Sequence, residues 1–124
     1  MNSSSIMSAE IAEQADAIDA TLVGLSQSRS AVQNFFAGAQ SVLFMARGTS
    51  DNVADYGQYL LSTKSGILAN SGSPSIATAF NAQINLSGHV VIGISQSGST
   101  SEIVQSLAWA KRSGAKTLAL TNVA

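Results

Sequence analysis

Four hydroxyl side chains and one amide occupy six consecutive positions around Gly98: Ser95, Gln96, Ser97, Ser99 and Thr100. The apolar run 90–94 leads into them, and residues 101–113 read as a helix. A strand, a small polar loop and a helix N-terminus together make an anion site, because backbone N–H groups and the helix dipole both favour negative charge there. The loop carries no lysine or arginine. It therefore suits a phosphate gripped by hydroxyls and backbone N–H groups better than a long polyanion. A second loop, Gly48, Thr49 and Ser50, follows the apolar run 42–46 and also precedes a helical segment.

The elements that position these loops follow from periodicity. Apolar residues at Met7, Ile11, Ala15, Ile18, Leu22 and Leu25 step by three or four, which predicts an amphipathic helix that Ser4 or Ser5 can cap. A shorter helix is expected over 30–37, stopped by Gly38. Continuous apolar runs at 42–46 and 90–94 predict strands buried on both faces. Residues 51–65 read as a helix with Val53, Tyr56, Leu60 and the stem of Lys64 on its inward side. Residues 67–69 read as a short strand and 70–75 as a turn-rich loop. Pro74 starts a short helix toward Phe80, and 116–121 is a fourth strand. In the helix over 101–113, Ile103, Leu107 and Ala110 face inward.

Strands alternating with helices imply a parallel sheet with helices on both faces, a three-layer α/β/α, flavodoxin-like architecture. In strand order 2-1-3-4, the first and third strands are neighbours whose connections leave in opposite directions. A crevice then opens at their carboxyl ends. The two hydroxyl loops would face each other across it, with Ser50, Ser95, Gln96, Ser97 and Thr100 as anion ligands and Gly48, Thr49, Gly98 and Ser99 as the supporting loop residues. The competing reading is that these serines and threonines merely cap two helices. The facing pair makes that reading weaker than it is for one loop alone.

Composition bounds the rest. The chain has 124 residues, a net charge of −1 and only 10% charged residues. That is one domain, with residues 1–38 as helices packing on a body formed by 39–124. No basic stripe is present, which argues against nucleic acid as a partner. There are no cysteines, so disulfides and thiolate metal sites are excluded and the cytoplasm is the expected compartment. No apolar run reaches the roughly 18 residues of a membrane helix, and the N-terminus lacks a signal-peptide pattern. The first five residues are expected to be loose. No His/Asp/Glu cluster has metal-ligand spacing. Neither the nucleotide P-loop nor the Gly-x-Gly-x-x-Gly fingerprint occurs, and no metal or cofactor is expected.

Other chemistry-bearing residues carry less. Glu102 lies in the first helical turn after the loop, where the dipole favours a carboxylate, so a structural role competes with acid–base work on the ligand beyond its phosphate. Arg47 has two readings: it leans toward the anion, or it pairs with Asp51 or Asp55. Asp51 is read as a helix cap. His89 reads as a solvated loop histidine, and Tyr56, Tyr59 and Trp109 as packing residues.

Several segments together resemble the first half of a sugar isomerase (SIS) domain: Glu10-Ile11-x-Glu13-Gln14, Ala46-Arg47-Gly48-Thr49-Ser50-Asp51-Asn52, Ser73-Pro74-Ser75, Ile94-Ser95-Gln96-Ser97-Gly98-Ser99-Thr100 and 118–122. The closer similarity is to the isomerase part of glutamine–fructose-6-phosphate aminotransferases and to SIS-type glucosamine-6-phosphate deaminases. The resemblance implies a sugar phosphate held by Ser50, Ser95, Gln96, Ser97 and Thr100. Two positions depart from the synthase pattern: Arg47 stands where cysteine is frequent, and Ser99 where glutamate is common.

The resemblance also implies that the ring-opening and enolisation groups lie in a second SIS domain, so this chain alone is expected to bind a hexosamine-type 6-phosphate and turn nothing over. A non-catalytic sugar-phosphate sensor is the alternative. Leu118 and Leu120 are expected to form an uncovered apolar edge. The chain is accordingly read as a fragment, a truncated product or part of a homodimer or larger homo-oligomer.

Overall fold

The computed structural model describes residues 5–123. The expectations for residues 1–4 fall outside them. Backbone contacts divide the described chain into two units that meet between Ala37 and Gly38.

The N-terminal unit holds α1, Ile6–Gln27, and α2, Arg29–Phe36. Ser5 caps α1, its hydroxyl accepting from the Ser8 N–H at 3.2 Å. The expected stripe forms, yet α1 has no buried residue, and Ile11, Ile18, Leu22 and Leu25 all stay exposed. Phe35 and Phe36 meet edge to face, with ring centroids 5.4 Å apart.

The larger unit is a four-stranded, all-parallel sheet of order β2-β1-β3-β4, with β1 Ser41–Met45, β2 Leu68–Gly72, β3 His89–Ile94 and β4 Lys116–Leu120. The two central strands are the two continuous apolar runs. Val90, Val91, Ile92 and Ile94 are all buried, as are Val42, Phe44 and Met45. Successive side chains on a strand point to opposite faces, so Phe44 and Met45 serve two different layers.

The Phe44 layer is covered by α3, Ser50–Leu60, which runs into a single π-type turn, Leu61–Ser65. Here the structure corrects the expected facing of the helix. Val53, Tyr56 and Leu60 lie outward, and the inward residues are Ala54, fully buried, and Gly57. A Cβ at Gly57 would come within 2.7 Å of the Phe44 ring. Small residues let the helix lie close on an aromatic ring, and that close approach decides the face over the larger apolar stripe.

The Met45 layer holds α4, Ser75–Thr78, and α5, Ser101–Arg112. Its core joins Met45, Ala77, Leu86, Val91, Ile103, Trp109 and Ala110. Trp109 is buried as a packing residue, and its Nε1–H donates to the Ala82 carbonyl at 2.8 Å. Tyr56 and Tyr59, also expected to pack, are exposed. The close approach of α5 to β3 depends on Gly93, where an added Cβ would lie 2.8 Å from Leu107 and 2.9 Å from Ile103.

The edge strand β2 departs most from expectation. β2 extends through Asn70, Ser71 and Gly72, residues whose types signal a turn, because each pairs with β1 in register from Leu43 to Met45. On β4, Leu120 is exposed while Leu118 is half-buried.

Candidate anion-binding site

β1 and β3 pair with Met45 opposite Gly93. Carried two residues further, that register brings Arg47 beside Ser95. The two loops therefore leave the sheet side by side at its carboxyl edge. A cleft of about 270 Å³ lies between them, lined by Arg47, Thr49, Ser50, Ile94, Ser95, Gln96, Ser97 and Thr100. All five residues expected to hold an anion line this one cleft, and of the supporting residues Thr49 does so too.

Neither loop spends its hydroxyls on capping. Thr49 precedes α3 and Thr100 precedes α5, and neither side chain caps its helix. Asp51, expected as a cap, sits inside the first turn of α3. The Thr100 hydroxyl instead meets the buried Ser95 hydroxyl at 2.8 Å. One proton of that pair is shared between the two oxygens, and the other is free to be donated outward.

Ser97 is poised more clearly. Its oxygen accepts from the Ser99 N–H at 3.3 Å and from the Ser99 hydroxyl at 3.0 Å, which leaves its own proton to donate. Ser99, a supporting residue in the sequence reading, thus acts by orienting Ser97. The first-turn N–H groups of α5 add the partial positive charge of the helix terminus, roughly half a unit.

The loop after β3 is held from the far side by the end of β4. The Ser95 N–H donates to the Leu120 carbonyl at 3.0 Å, and the Asn122 N–H donates to the Gln96 carbonyl at 3.2 Å. Gly98 has φ +67°, and a Cβ there would lie 2.8 Å from the Thr121 hydroxyl. Both the backbone conformation and the space demand glycine. Residues 121 and 122 were expected only at the end of the fourth strand, and their bracing contact exists because β3 and β4 are paired.

Arg47 hydrogen-bonds to neither Asp51 nor Asp55, although the Asp51 charge still acts on it. It reaches across the crevice to Glu102 in the first turn of α5, with Nε to Oε2 at 2.8 Å and Nη2 to Oε1 at 2.9 Å. Both side chains are about half exposed. The hydrogen bond from Arg47, reinforced by its charge, holds the Glu102 carboxyl below the usual glutamate range, while partial desolvation opposes that shift. The same hydrogen bond and the Glu102 charge push the Arg47 guanidinium up. His89 lies at the opposite end of β3, with Nδ1 2.8 Å from the Ser41 hydroxyl. Six strand residues at about 3.3 Å each put it about 20 Å from the cleft. Among the described residues, no group of three His, Cys, Asp or Glu could hold a metal ion.

A parallel sheet covered by helices on both faces, with two hydroxyl-lined loops at its switch point, defines a doubly wound α/β domain. The SIS domain family matches residues 35–124, and the chain belongs to that family. It is 35% identical over 116 residues to the glutamine–fructose-6-phosphate aminotransferase (isomerizing) of Aquifex aeolicus, covering 92% of this chain and 19% of that protein. The crystal structure of a candidate phosphosugar isomerase from Silicibacter pomeroyi DSS-3 superimposes with a TM-score of 0.84 at 33% identity, over 92% of this chain and 36% of that one. The C-terminal domain of glucosamine–fructose-6-phosphate aminotransferase from Francisella tularensis shares the fold, with a TM-score of 0.67 at 21% identity over 76% of this chain and 27% of that one. The chain thus spans about a fifth of the curated relative it matches.

The ion pair has a direct signature. A carboxylate stabilised by its partner in the folded state contributes stability above its unfolded pKa, and loses it as pH falls through the lower folded value. An NMR titration of the Glu102 side chain is expected to show a midpoint below that of an ordinary glutamate, about 4.3. Arg47→Gln is expected to return it to the ordinary value; a wild-type midpoint already there would mean the pair does not persist in solution.

Proposed function

We propose that the cleft holds the phosphoryl group of a hexose or hexosamine 6-phosphate on Ser50, Ser95, Gln96, Ser97 and Thr100. The observation that carries this reading is that two hydroxyl-bearing loops, from adjacent parallel strands, line one cleft without spending their side chains on helix caps. A phosphate monoester carries close to two negative charges at neutral pH. Several neutral donors and a helix terminus fit it without a permanent cationic partner. The similarity to an isomerizing fructose-6-phosphate aminotransferase supports the sugar part of the ligand.

The parent reaction is read as aldose–ketose isomerisation of a hexosamine 6-phosphate, with or without transfer or release of ammonia. Such a reaction needs a base to carry a proton between neighbouring carbons. No residue lining the cleft offers one: neither a carboxylate nor a histidine lines it, and nearby Glu102 is tied to Arg47. The chain alone is therefore expected to bind without turnover. No described helix is long and apolar enough to cross a membrane, and cytoplasmic operation is part of the same proposal.

Calorimetric titration with fructose 6-phosphate or glucosamine 6-phosphate tests the binding. A dissociation constant in the roughly micromolar to millimolar range is expected. Ser97→Ala removes a donor to an ionised acceptor, a contact worth about 1.5–3 kcal/mol, so binding is expected to weaken by roughly tenfold or more. No heat with either sugar phosphate, or an unchanged constant in the variant, contradicts the reading. Steady isomerisation by the purified chain would contradict the absence of turnover.

We also propose that the chain assembles as a homodimer or larger homo-oligomer. The support is the exposed apolar surface on α1, at Ile11, Ile18, Leu22 and Leu25, and on α3, at Val53, Tyr56 and Leu60. Sedimentation at micromolar concentration is expected to give a dimer or larger species, and a monomer at every concentration would rule this out.

A further inference from the structure

We propose that Arg47, held by Glu102, is the residue that makes the cleft prefer a phosphorylated sugar over a bare oxyanion. This inference rests on the sugar-phosphate reading of the same cleft and adds the element that sets its selectivity.

The geometry of the pair is side-on. Nε and Nη2 face the two carboxylate oxygens at 2.8 and 2.9 Å. That orientation leaves both protons of Nη1 and the outer proton of Nη2 unused, and the guanidinium makes no other hydrogen bond among the described residues. Arg47 also lines the 270 Å³ cleft together with all five hydroxyl and amide donors. A rigid, planar donor edge is thus presented at the rim of a cradle whose other donors suffice for a phosphoryl group.

Charge separates this role from that of a direct phosphate ligand. Arg47 is the only cation among the residues lining the cleft. Unpaired, it would attract any oxyanion, inorganic phosphate included, and bring no preference for a sugar. Glu102 cancels that attraction and fixes the fork in one direction. What remains is a set of hydrogen-bond donors suited to the hydroxyl groups of the carbon chain beyond the phosphate. Glu102 acts here through Arg47, as a positioning residue.

A purely mechanical role is the weaker account. Half-exposed ion pairs contribute little to stability because water and salt screen them. The loops they join are already tied by the β1–β3 ladder and by the bonds from residues 120–122. The crevice does not need this pair to hold its shape.

The test compares two ligands on the full chain by calorimetry: inorganic phosphate and fructose 6-phosphate. Wild-type protein is expected to bind the sugar phosphate more tightly. The double variant Arg47→Gln/Glu102→Gln removes the fork without leaving a bare carboxylate beside the cradle, and is expected to weaken fructose 6-phosphate roughly tenfold and leave inorganic phosphate within about twofold. Glu102→Gln frees the guanidinium from its paired carboxylate, leaving only the weaker influence of the Asp51 charge, and is expected to tighten inorganic phosphate by roughly three- to tenfold at low salt, an effect that fades as salt is raised. Arg47→Lys keeps the charge but loses the fork, and is expected to lose selectivity as the double variant does. Circular dichroism confirms that each variant is folded; because both side chains are half exposed, Glu102→Gln gives an independent reading if an Arg47 variant is not.

Equal losses for both ligands in the Arg47→Gln/Glu102→Gln double variant would overturn the proposal, since they would make Arg47 a phosphate ligand or a strut. Unchanged phosphate binding in Glu102→Gln would overturn it as well, as would equal wild-type affinity for the two ligands. If wild-type protein binds neither ligand, the sugar-phosphate reading itself fails, an outcome distinct from binding without selectivity.

Discussion

Everything at the candidate site depends on the parallel pairing of β1 with β3. Strand order β2-β1-β3-β4 makes them neighbours although α3, β2 and α4 separate them in sequence. Their connections then diverge, and only there can two strand-to-helix loops sit side by side with nothing crossing above them. The burial of both strands on both faces holds this arrangement, because a slip in register would move Phe44 and Met45 out of the layers that α3 and α5 cover. Gly57 and Gly93 complete it by letting the two helices approach closely, each on its own face of the sheet.

Given that frame, the electrostatics of the cleft are those of a neutral cradle. Its donors are hydroxyls, an amide and the first turn of α5, and its only cation is compensated by Glu102. Neutral donors are hydrated at modest cost and do not gather counterions, so a cleft of this kind favours a small, well-shaped anion over a polyanion. The internal bonds of the loop serve the same end. Ser99 orients Ser97, Thr100 orients Ser95, and residues 121 and 122 brace the turn at Gly98 from behind. The donors are thus set in place within the loops, an arrangement that would lower the ordering cost of the proposed binding.

Some of this was legible in the residues and some was not, for physical reasons. β1 and β3 announce themselves because strands buried on both faces must be continuously apolar. The two hydroxyl loops could be read from the glycines and serines that follow those strands, and the strand order made them meet. β2 was read too short because an edge strand can carry Asn70, Ser71 and Gly72, whose types look like a turn until β1 pairs with them. The face of α3 was misread because its larger apolar residues point outward while Ala54 and Gly57 nestle against Phe44. The Arg47–Glu102 pair spans 55 positions, and nothing local distinguishes Glu102 from Asp51 or Asp55 as a partner for Arg47. Only the β1–β3 register selects it.

The most direct test of a single cradle built from both loops is an amide NMR titration of the full chain with fructose 6-phosphate. The account predicts that the backbone signals of residues 48–50 and 95–102 shift together and along one binding curve, while those around His89 at the other end of β3 stay still. Shifts confined to one loop, two curves with different midpoints, or shifts centred on the amino ends of the strands would contradict it.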